Sequence, residues 1–543
     1  MNQRVRIAVA VLVLTGVAVW FLLPNNKAQR VAEQTHRTLR QEGFKLALNE
    51  FDLPNPAGLG TNNELLSLLG DALRNNFSIR RLDLMRPVSS NSAMVLWTQE
   101  APVNEPAIGS FWPEIRQALA EQNAVLDRAR ESVLSSSFRF KTILSTNGDV
   151  APDVFRARVL ASAFAARTIL ELHDQHLPVA WTNLLTLTRL VTAWQTEPME
   201  ISHSMRSRWV TTVQRVTWEA LQARDWSDSQ LATLQREWES ANFFRGLPET
   251  AALARASTIA FCDSQRQRPP PPSPTLREFF SDLINSPGRA RDAATSRWRS
   301  ARYRNYESYE DETAWLLYFR DCEVDYRRAL IANSWSDLRA LPGATNSRPA
   351  RASNSVLGIE ALRTMGPGVY GGYLRQGSTL LARVAEAEAR RRLLITAIAT
   401  ERFYRANHSY PDSLLKLVPD FLKSIPKDFM DGEPLRYRRT EDDRFLLYSV
   451  GIDGQDDQGQ LLAEPTPSSV GAGFGRPEGP DLVWPIPASP AEVQAFAQAA
   501  ESRRLRGPTR VSTPESGLTY PRRTQLRTNG LATPNLAPRR SGL

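Results

Sequence analysis

Between Ala28 and about Leu341, apolar residues recur at spacings of three and four, and this helical period constrains the chain more than any other feature. It runs through 113–134, 153–173, 181–194, 201–221 and 227–244. Start and stop signals agree with it: Ser227-Asp228-Ser229-Gln230 and Asp153 have the form of amino-terminal caps, and Gly246-Leu247-Pro248 closes one helix and opens the next. Ala93 to Thr98 is the early strand candidate. A further helix is expected from about Ser378 to Asn407, with Leu380, Val384, Ala387, Leu394 and Ile398 as its apolar stripe. The expected class is therefore mainly α, a helical bundle or array. With 543 residues and 42% hydrophobic composition there is material for several cores. A mean hydropathy of −0.37 excludes a multi-span membrane protein.

The two ends differ from the body. Arg4 and Arg6 precede Ile7 to Leu23, which holds no charged residue, and Pro24 follows. Such a run reaches roughly 25 Å as a helix, enough for a thin hydrocarbon core. A single membrane anchor with a cytoplasmic amino terminus is expected, a cleaved signal peptide being the competing reading. That topology places the bulk of the chain in the periplasm, beyond a bacterial inner membrane. At the other end, Arg503 to Leu543 holds nine arginines against Glu515 alone, nearly the whole formal charge of +9. Rich in Pro, Ser, Thr and Gly, this stretch is expected to be disordered. Arg503, Arg504, Arg506, Arg522, Arg523, Arg539 and Arg540 are its candidate polyanion-binding residues, for anionic envelope polymers or lipid. Because the body is nearly neutral, nucleic acid is not the expected partner.

Composition divides the chain into an anchor (1–27), a helical domain (28–265), a Pro-rich linker (266–274), a second helical region (275–365), a small α+β domain (373–462) and a mostly disordered tail (463–543). Cys262 and Cys322 flank the linker, and two readings stand: a disulfide closing a loop of about 60 residues, which contributes on the order of 4 kcal/mol, or two isolated buried thiols. His173 and His176, with Glu171 nearby, lack the third ligand zinc needs and read as a helix end. His36, His203 and His408 are isolated, and the acidic runs at Glu310 to Glu312 and Glu441 to Asp443 read as exposed. No phosphate loop, nucleophile elbow or Cys-x-x-Cys pair is present. The helical tryptophans, Trp181, Trp194, Trp209, Trp218, Trp226 and Trp238, read as core.

The stretch from about Leu380 to Gly459 stands apart. A long helix is followed by Tyr410-Pro411 with Leu414 and Leu417, then Pro426, Asp428 and Gly432, then two strand-like runs around Tyr437 and Arg444 to Val450, then Tyr448-Ser449 and Gly451, and an Asp453-Gly454 loop. In this order the segment resembles the globular part of type II secretion major pseudopilins. The resemblance covers about 80 residues and implies one α+β unit with a hairpin packed on the long helix. It also implies a structural calcium in the acidic loop, which places Asp453, Asp456 and Asp457 as candidate ligands, a solvated acidic turn being the alternative. Met1 to Gln29 departs from the family, having no prepilin-processing sequence of the Gly-Phe-Thr-Leu-Ile-Glu kind. The expected function is a non-enzymatic, single-pass envelope scaffold associated with a type II secretion or pilus-like system. The alternatives are an envelope hydrolase with its site in the helical body, and nucleic-acid or anionic-polymer binding through the tail.

Overall fold

The computed structural model describes residues 26–51, 82–101, 109–140, 142–144, 150–152, 154–269, 285–339, 379–461 and 481–505, with a few single positions between them. It is mainly helical, at 64%, with small sheets. In chain order the principal elements are α1 (Asn26–Gln41), β1 (Arg86–Pro87), β2 (Ser92–Met94), α2 (Trp112–Ala120), α3 (Asn123–Ser135), β3 (Thr142–Leu144) and β4 (Val150–Pro152). Next come α4 (Val154–His173), α5 (Leu177–Thr192), α6 (Glu200–Leu221), α7 (Asp228–Ser240), α8 (Leu247–Gln267) and α9 (Pro287–Arg302). A π-helical turn, Tyr303–Glu307, joins α9 to α10 (Ser308–Ala329), and α11 (Trp335–Leu338) follows. The carboxy-terminal part holds α12 (Thr379–Asn407), β5 (Arg436–Arg439), β6 (Phe445–Ser449), β7 (Leu482–Trp484), β8 (Ile486–Pro487) and α13 (Pro490–Leu505).

Local chemistry accounts for the boundaries. Ser227 caps α7 in a capping box: its hydroxyl accepts from the Gln230 amide while the Gln230 side chain accepts from the Ser227 amide. Gly246 adopts φ 87° between α7 and α8, a conformation that excludes most side chains, and Pro248 follows in the first turn of α8. Ser489 and Glu492 form a similar exchange at the start of α13.

The core is built around α12. Its expected stripe is buried, and so are Leu381, Ala382, Ala385, Ala389, Leu393, Ala397 and Ala399, so the helix is enclosed on most of its circumference. It packs on α6 and α7, and its many alanines permit close approach. Arg390, Arg391 and Arg392 do not protrude: they bond to Gln214, to the Trp238 carbonyl and to the Lys427 carbonyl, and pair with Glu386 and Glu388. One continuous hydrophobic cluster runs from Leu96 and Trp112 through α4 to α7 and on to Phe445 and Trp484. The hairpin strand β6 packs on α12, which is at the same time the central strut of the helical body. The tryptophans of α5 to α7 are core as expected, with Trp194, Trp218 and Trp238 almost wholly buried.

The hairpin expected between Tyr437 and Val450 forms as β5 and β6, with Tyr437 opposite Leu447, and β7 adds a third antiparallel strand through Tyr448 opposite Val483. β8 then leaves this sheet to pair in parallel with β2, which also pairs with β1. The Trp218 indole donates to the Pro485 carbonyl at 2.8 Å between these two sheets.

On the other flank, α8 and α10 pack as an antiparallel pair, with Arg255 to Glu323 at 2.8 Å near one end and Arg266 bonded to Ser308 and Glu312 at the other. The prolines after Arg268 follow α8 in sequence, and the helix that lies beside α8 is α10 rather than the intervening α9; residues 270–274 fall outside the described residues. The acidic run of 310–312 is partly internal, Glu312 being 1% exposed between Arg266 and His36. The helical period, read across one helix, marks its core-facing stripe but not which polar positions a neighbouring helix covers.

Candidate functional site

α6 and α12 run parallel, as contacts of Arg383 with Ser204, Arg390 with Gln214 and Arg224 with Tyr404 establish. Their carboxy-terminal ends therefore meet, and each ends in a non-glycine residue in the left-handed region, Arg224 at φ 57° and His408 at φ 54°. Glycine is the usual occupant there, so both residues carry backbone strain of roughly 1 kcal/mol. Between them lies a cleft of about 300 Å³ lined by Arg224, Trp226, Glu401, Tyr404, Arg405 and His408, among others. The partial negative charge of two helix ends is met by guanidinium groups at the rim.

Glu401 is the acid of this cleft. The Tyr410 hydroxyl donates to its Oε1 at 2.8 Å, and the Tyr410 ring packs on Tyr404 at 4.5 Å and on Phe445 at 4.9 Å. The Arg224 guanidinium lies 5.1 Å above the Tyr404 ring. Burial pushes the Glu401 carboxyl up to about 7, against the opposing effects of Tyr410 and Arg224. A carboxyl that changes charge near neutral pH, beside a cation and aromatic faces, can bind a polar ligand and exchange a proton with it. Glu401 is the one carboxyl among the described lining residues, whereas glycoside hydrolysis by the common route needs two.

Asp428 organises the adjoining turn. It is fully buried and accepts from the Ser449 hydroxyl at 2.7 Å and from the Met430 and Val450 amides at 2.9 Å each, and Arg436 approaches at 3.2 Å. One carboxylate thus joins the Ile425 to Gly432 segment to the end of β6.

Asp453, Asp456 and Asp457 do not converge. Asp453 accepts from the Gln455 amide and Asp456 from the Gln458 amide, each closing its own turn, and Asp456 approaches Arg436 at 3.8 Å. Among the described residues no group of three or more His, Cys, Asp or Glu side chains is arranged to hold a metal ion. A fourth carboxylate does reach this turn: Asp481 accepts from the Gly459 amide at 2.6 Å, while its Oδ1 is buried without a partner. Burial, with Asp456 and Asp457 nearby, pushes it up to about 6. Sequence reasoning missed Asp481 because 22 residues separate it from Gly459. Gly459, at φ 72°, permits the close approach, since a Cβ there would lie 2.8 Å from the Tyr448 ring.

The cysteines are both buried and free. In the register set by the two arginine contacts, Cys262 faces Leu316 and Cys322 faces Ala256, roughly 9 Å apart along the helices and on different helices. That exceeds disulfide reach, so the pairing expected as one of two readings is not made in this arrangement. Burial pushes Cys322 up to about 12 and Cys262 well above its ordinary value.

The histidine pair is split. His173 bonds to the Trp97 carbonyl at 2.9 Å and stacks on Trp112, while His176 bonds to Glu171 at 3.0 Å. His203 is buried, and desolvation with Arg206 nearby lowers it to about 3, so it stays neutral. On the same helix, burial pushes Glu200 up to about 7 despite Arg383. Glu219, which accepts from the Met85 and Leu96 amides at 2.9 Å each, is pushed up to about 8, again by burial. None of these had a local sequence signal, because each is defined by what distant segments place over it.

Arg4, Arg6, Ile7 and Leu23 lie outside the described residues, as do Arg506, Arg522, Arg523, Arg539 and Arg540; of Arg503 and Arg504 the helix backbone alone is described. No described helix is long and apolar enough to cross a membrane. Comparison with protein-family models, with curated proteins and with solved structures finds no match to this chain.

Proposed function

We propose that the protein is a non-enzymatic, single-pass protein of a bacterial inner membrane whose bulk lies in the periplasm. There it serves as an interaction scaffold for a type II secretion or pilus-like system. The observation that supports this most directly is the Asp428 junction, because the residues quoted for the pseudopilin resemblance, Asp428, Ser449 and the Val450 amide beside Gly451, meet at one carboxylate. Motifs that fold against one another are better evidence of a shared architecture than the same motifs in a string. The same unit exposes Leu415 at 63% and Ile425 at 40%, apolar side chains available to a partner. A calcium at the Asp453 to Asp457 turn, with Asp481 as an additional ligand, remains part of this reading, as does contact of the 503–543 tail with anionic envelope polymers or lipid.

The test is topology and partnership together. A carboxy-terminal tag on the full chain is expected to be digested by protease added to intact spheroplasts, and its protection overturns the envelope reading. Pseudopilin-like subunits are expected to co-purify with the wild type and not with a Leu415→Asp, Ile425→Asp variant; equal recovery removes the scaffold role. A second reading, an envelope hydrolase, draws on the Glu401 cleft. A Glu401→Gln variant that supports secretion and envelope integrity as well as the wild type discards it.

A further inference from the structure

We infer that α9, with the π-turn after it and the first turn of α1, forms a basic collar that lies on the phosphate headgroups of an anionic phospholipid bilayer. The inference rests on the single-span reading of residues 7–23. α1 and α10 run parallel: His36 meets Glu312 at 2.7 Å, Leu39 clusters with Leu316, and Phe44 lies under Arg327. The amino-terminal part of α1 accordingly reaches the π-turn of 303–307, with which it packs. The uncharged run ends at Leu23, three residues before α1 begins, so a membrane that holds it is close to that end of the body.

The last turn of α9 arrives at the same end, Arg302 running directly into the π-turn. The sequence of α9 carries Arg289, Arg291, Arg297, Arg299 and Arg302 against Asp292, and the π-turn adds Arg304 and one acid, Glu307, which pairs with Arg302 at 2.9 Å. Lys27 and Arg30 of α1, which packs on that π-turn, are exposed. Apart from the π-turn continuous with it, no described element packs extensively on α9, in contrast to α10, which has α1 and α8 on its flanks. Trp298 is 41% exposed, with the Arg302 guanidinium 5.3 Å from its ring. Guanidinium groups match phosphate oxygens in two-point hydrogen bonds, and tryptophan favours the boundary between headgroups and acyl chains. A helix that is basic, bears an exposed indole, is packed extensively by no other described element than its π-turn and ends where the chain enters the membrane has the bilayer surface as its fitting partner. Attraction to that surface falls with salt.

The experiment uses the full chain in bilayers of phosphatidylcholine, with or without phosphatidylglycerol, that also contain a lipid spin-labelled near its headgroup. Single cysteines for a fluorescent label are placed at the exposed positions Ser296→Cys in α9 and Ile331→Cys beyond the far end of α10, a helix about 33 Å long. The buried native thiols remain unlabelled. Quenching at position 296 is expected to rise at least twofold with phosphatidylglycerol, to fall in high salt and to drop in an Arg297→Ala, Arg302→Ala background, while position 331 stays unquenched. Quenching at 296 that equals that at 331, in protein that resists carbonate extraction, overturns the collar and leaves the anchor standing. Release by carbonate overturns the anchor, and the collar with it.

Discussion

Replacing Asp428 by alanine should destabilise the protein more than any surface change in the same unit. The side chain is 0% exposed, and its loss leaves the Ser449 hydroxyl and the Met430 and Val450 amides without acceptors. Each buried donor so orphaned costs about 1 to 3 kcal/mol, and relief of the carboxylate's own burial offsets part of the sum. A net loss of about 4 kcal/mol follows, read from urea denaturation with the slope held equal to the wild type. Ser449→Ala removes one charged hydrogen bond and should cost about 2 kcal/mol. Because the two residues share that bond, the double variant should fall short of the sum by about 1 kcal/mol or more. Hydrogen exchange should find the Val450 and Met430 amides unprotected in Asp428→Ala first. A loss below about 1 kcal/mol, or strict additivity with Ser449→Ala, would refute the assignment of Asp428 as the residue joining the two segments.

Glu401 carries a proton in the folded chain up to about pH 7 but loses it near 4.5 when unfolded, so stability should fall as pH rises across that window. The slope owed to it is at most about 1 kcal/mol per pH unit, and Glu401→Gln should flatten the curve; an unchanged slope shows that the group titrates elsewhere. Calcium at the Asp453 turn predicts a melting temperature raised by saturating calcium, an increment lost in Asp481→Asn; a curve indifferent to both calcium and chelator removes that proposal. Thiol titration in denaturant without reductant should count two free cysteines, and native protein should resist alkylation; a count of zero would mean that Cys262 and Cys322 pair. Ser227→Ala should cost about 1 kcal/mol through the cap of α7, measurable by thermal denaturation, and an indistinguishable variant would leave the capping box without a role.

Element type was legible wherever the period was long and the ends were marked. Gly246 with Pro248, Ser227 with Gln230, and the turn between β5 and β6 all fix boundaries through local chemistry, and the structure keeps them close to where the residues put them. What escaped was long-range. The 113–134 period hides a break, α2 ending at Ala120 and α3 starting at Asn123, that no glycine or proline marks in the sequence. Glu219 and Asp481 bond to partners far along the chain, so neither has a neighbour in sequence that hints at its role. Glu401 was invisible for the same reason: its environment is assembled from the loop after α6, the end of α12 and the Tyr410 turn. Carboxylates clustered in sequence, by contrast, drew attention at Asp453 to Asp457 while their side chains serve their own turns.

The position of α12 limits how a scaffold of this kind can work. A pseudopilin-like unit appended by a linker would be free to swing towards a filament, but here the long helix is buried between α6 and α7 along most of its length. Extracting it would expose, among others, Leu380, Leu381, Val384, Leu393, Leu394 and Ile398, each worth about 1.5 to 3 kcal/mol when fully buried. That total is as large as the whole stability of an ordinary domain, so the unit is not expected to detach without unfolding the body. Any partner must therefore be engaged by the outer face alone, the turns around Leu415 and Ile425 and the hairpin edge at β5, with the helix fixed. Leu394→Ala discriminates between a rigid and a detachable unit. If the unit is integral, a cavity at this position should lower the stability of α6, α7 and the hairpin together by about 2 to 5 kcal/mol, in one transition seen equally by exchange in all three. If the hairpin and the Tyr410 turn lose protection while α6 and α7 keep theirs, the unit is detachable and the constraint falls.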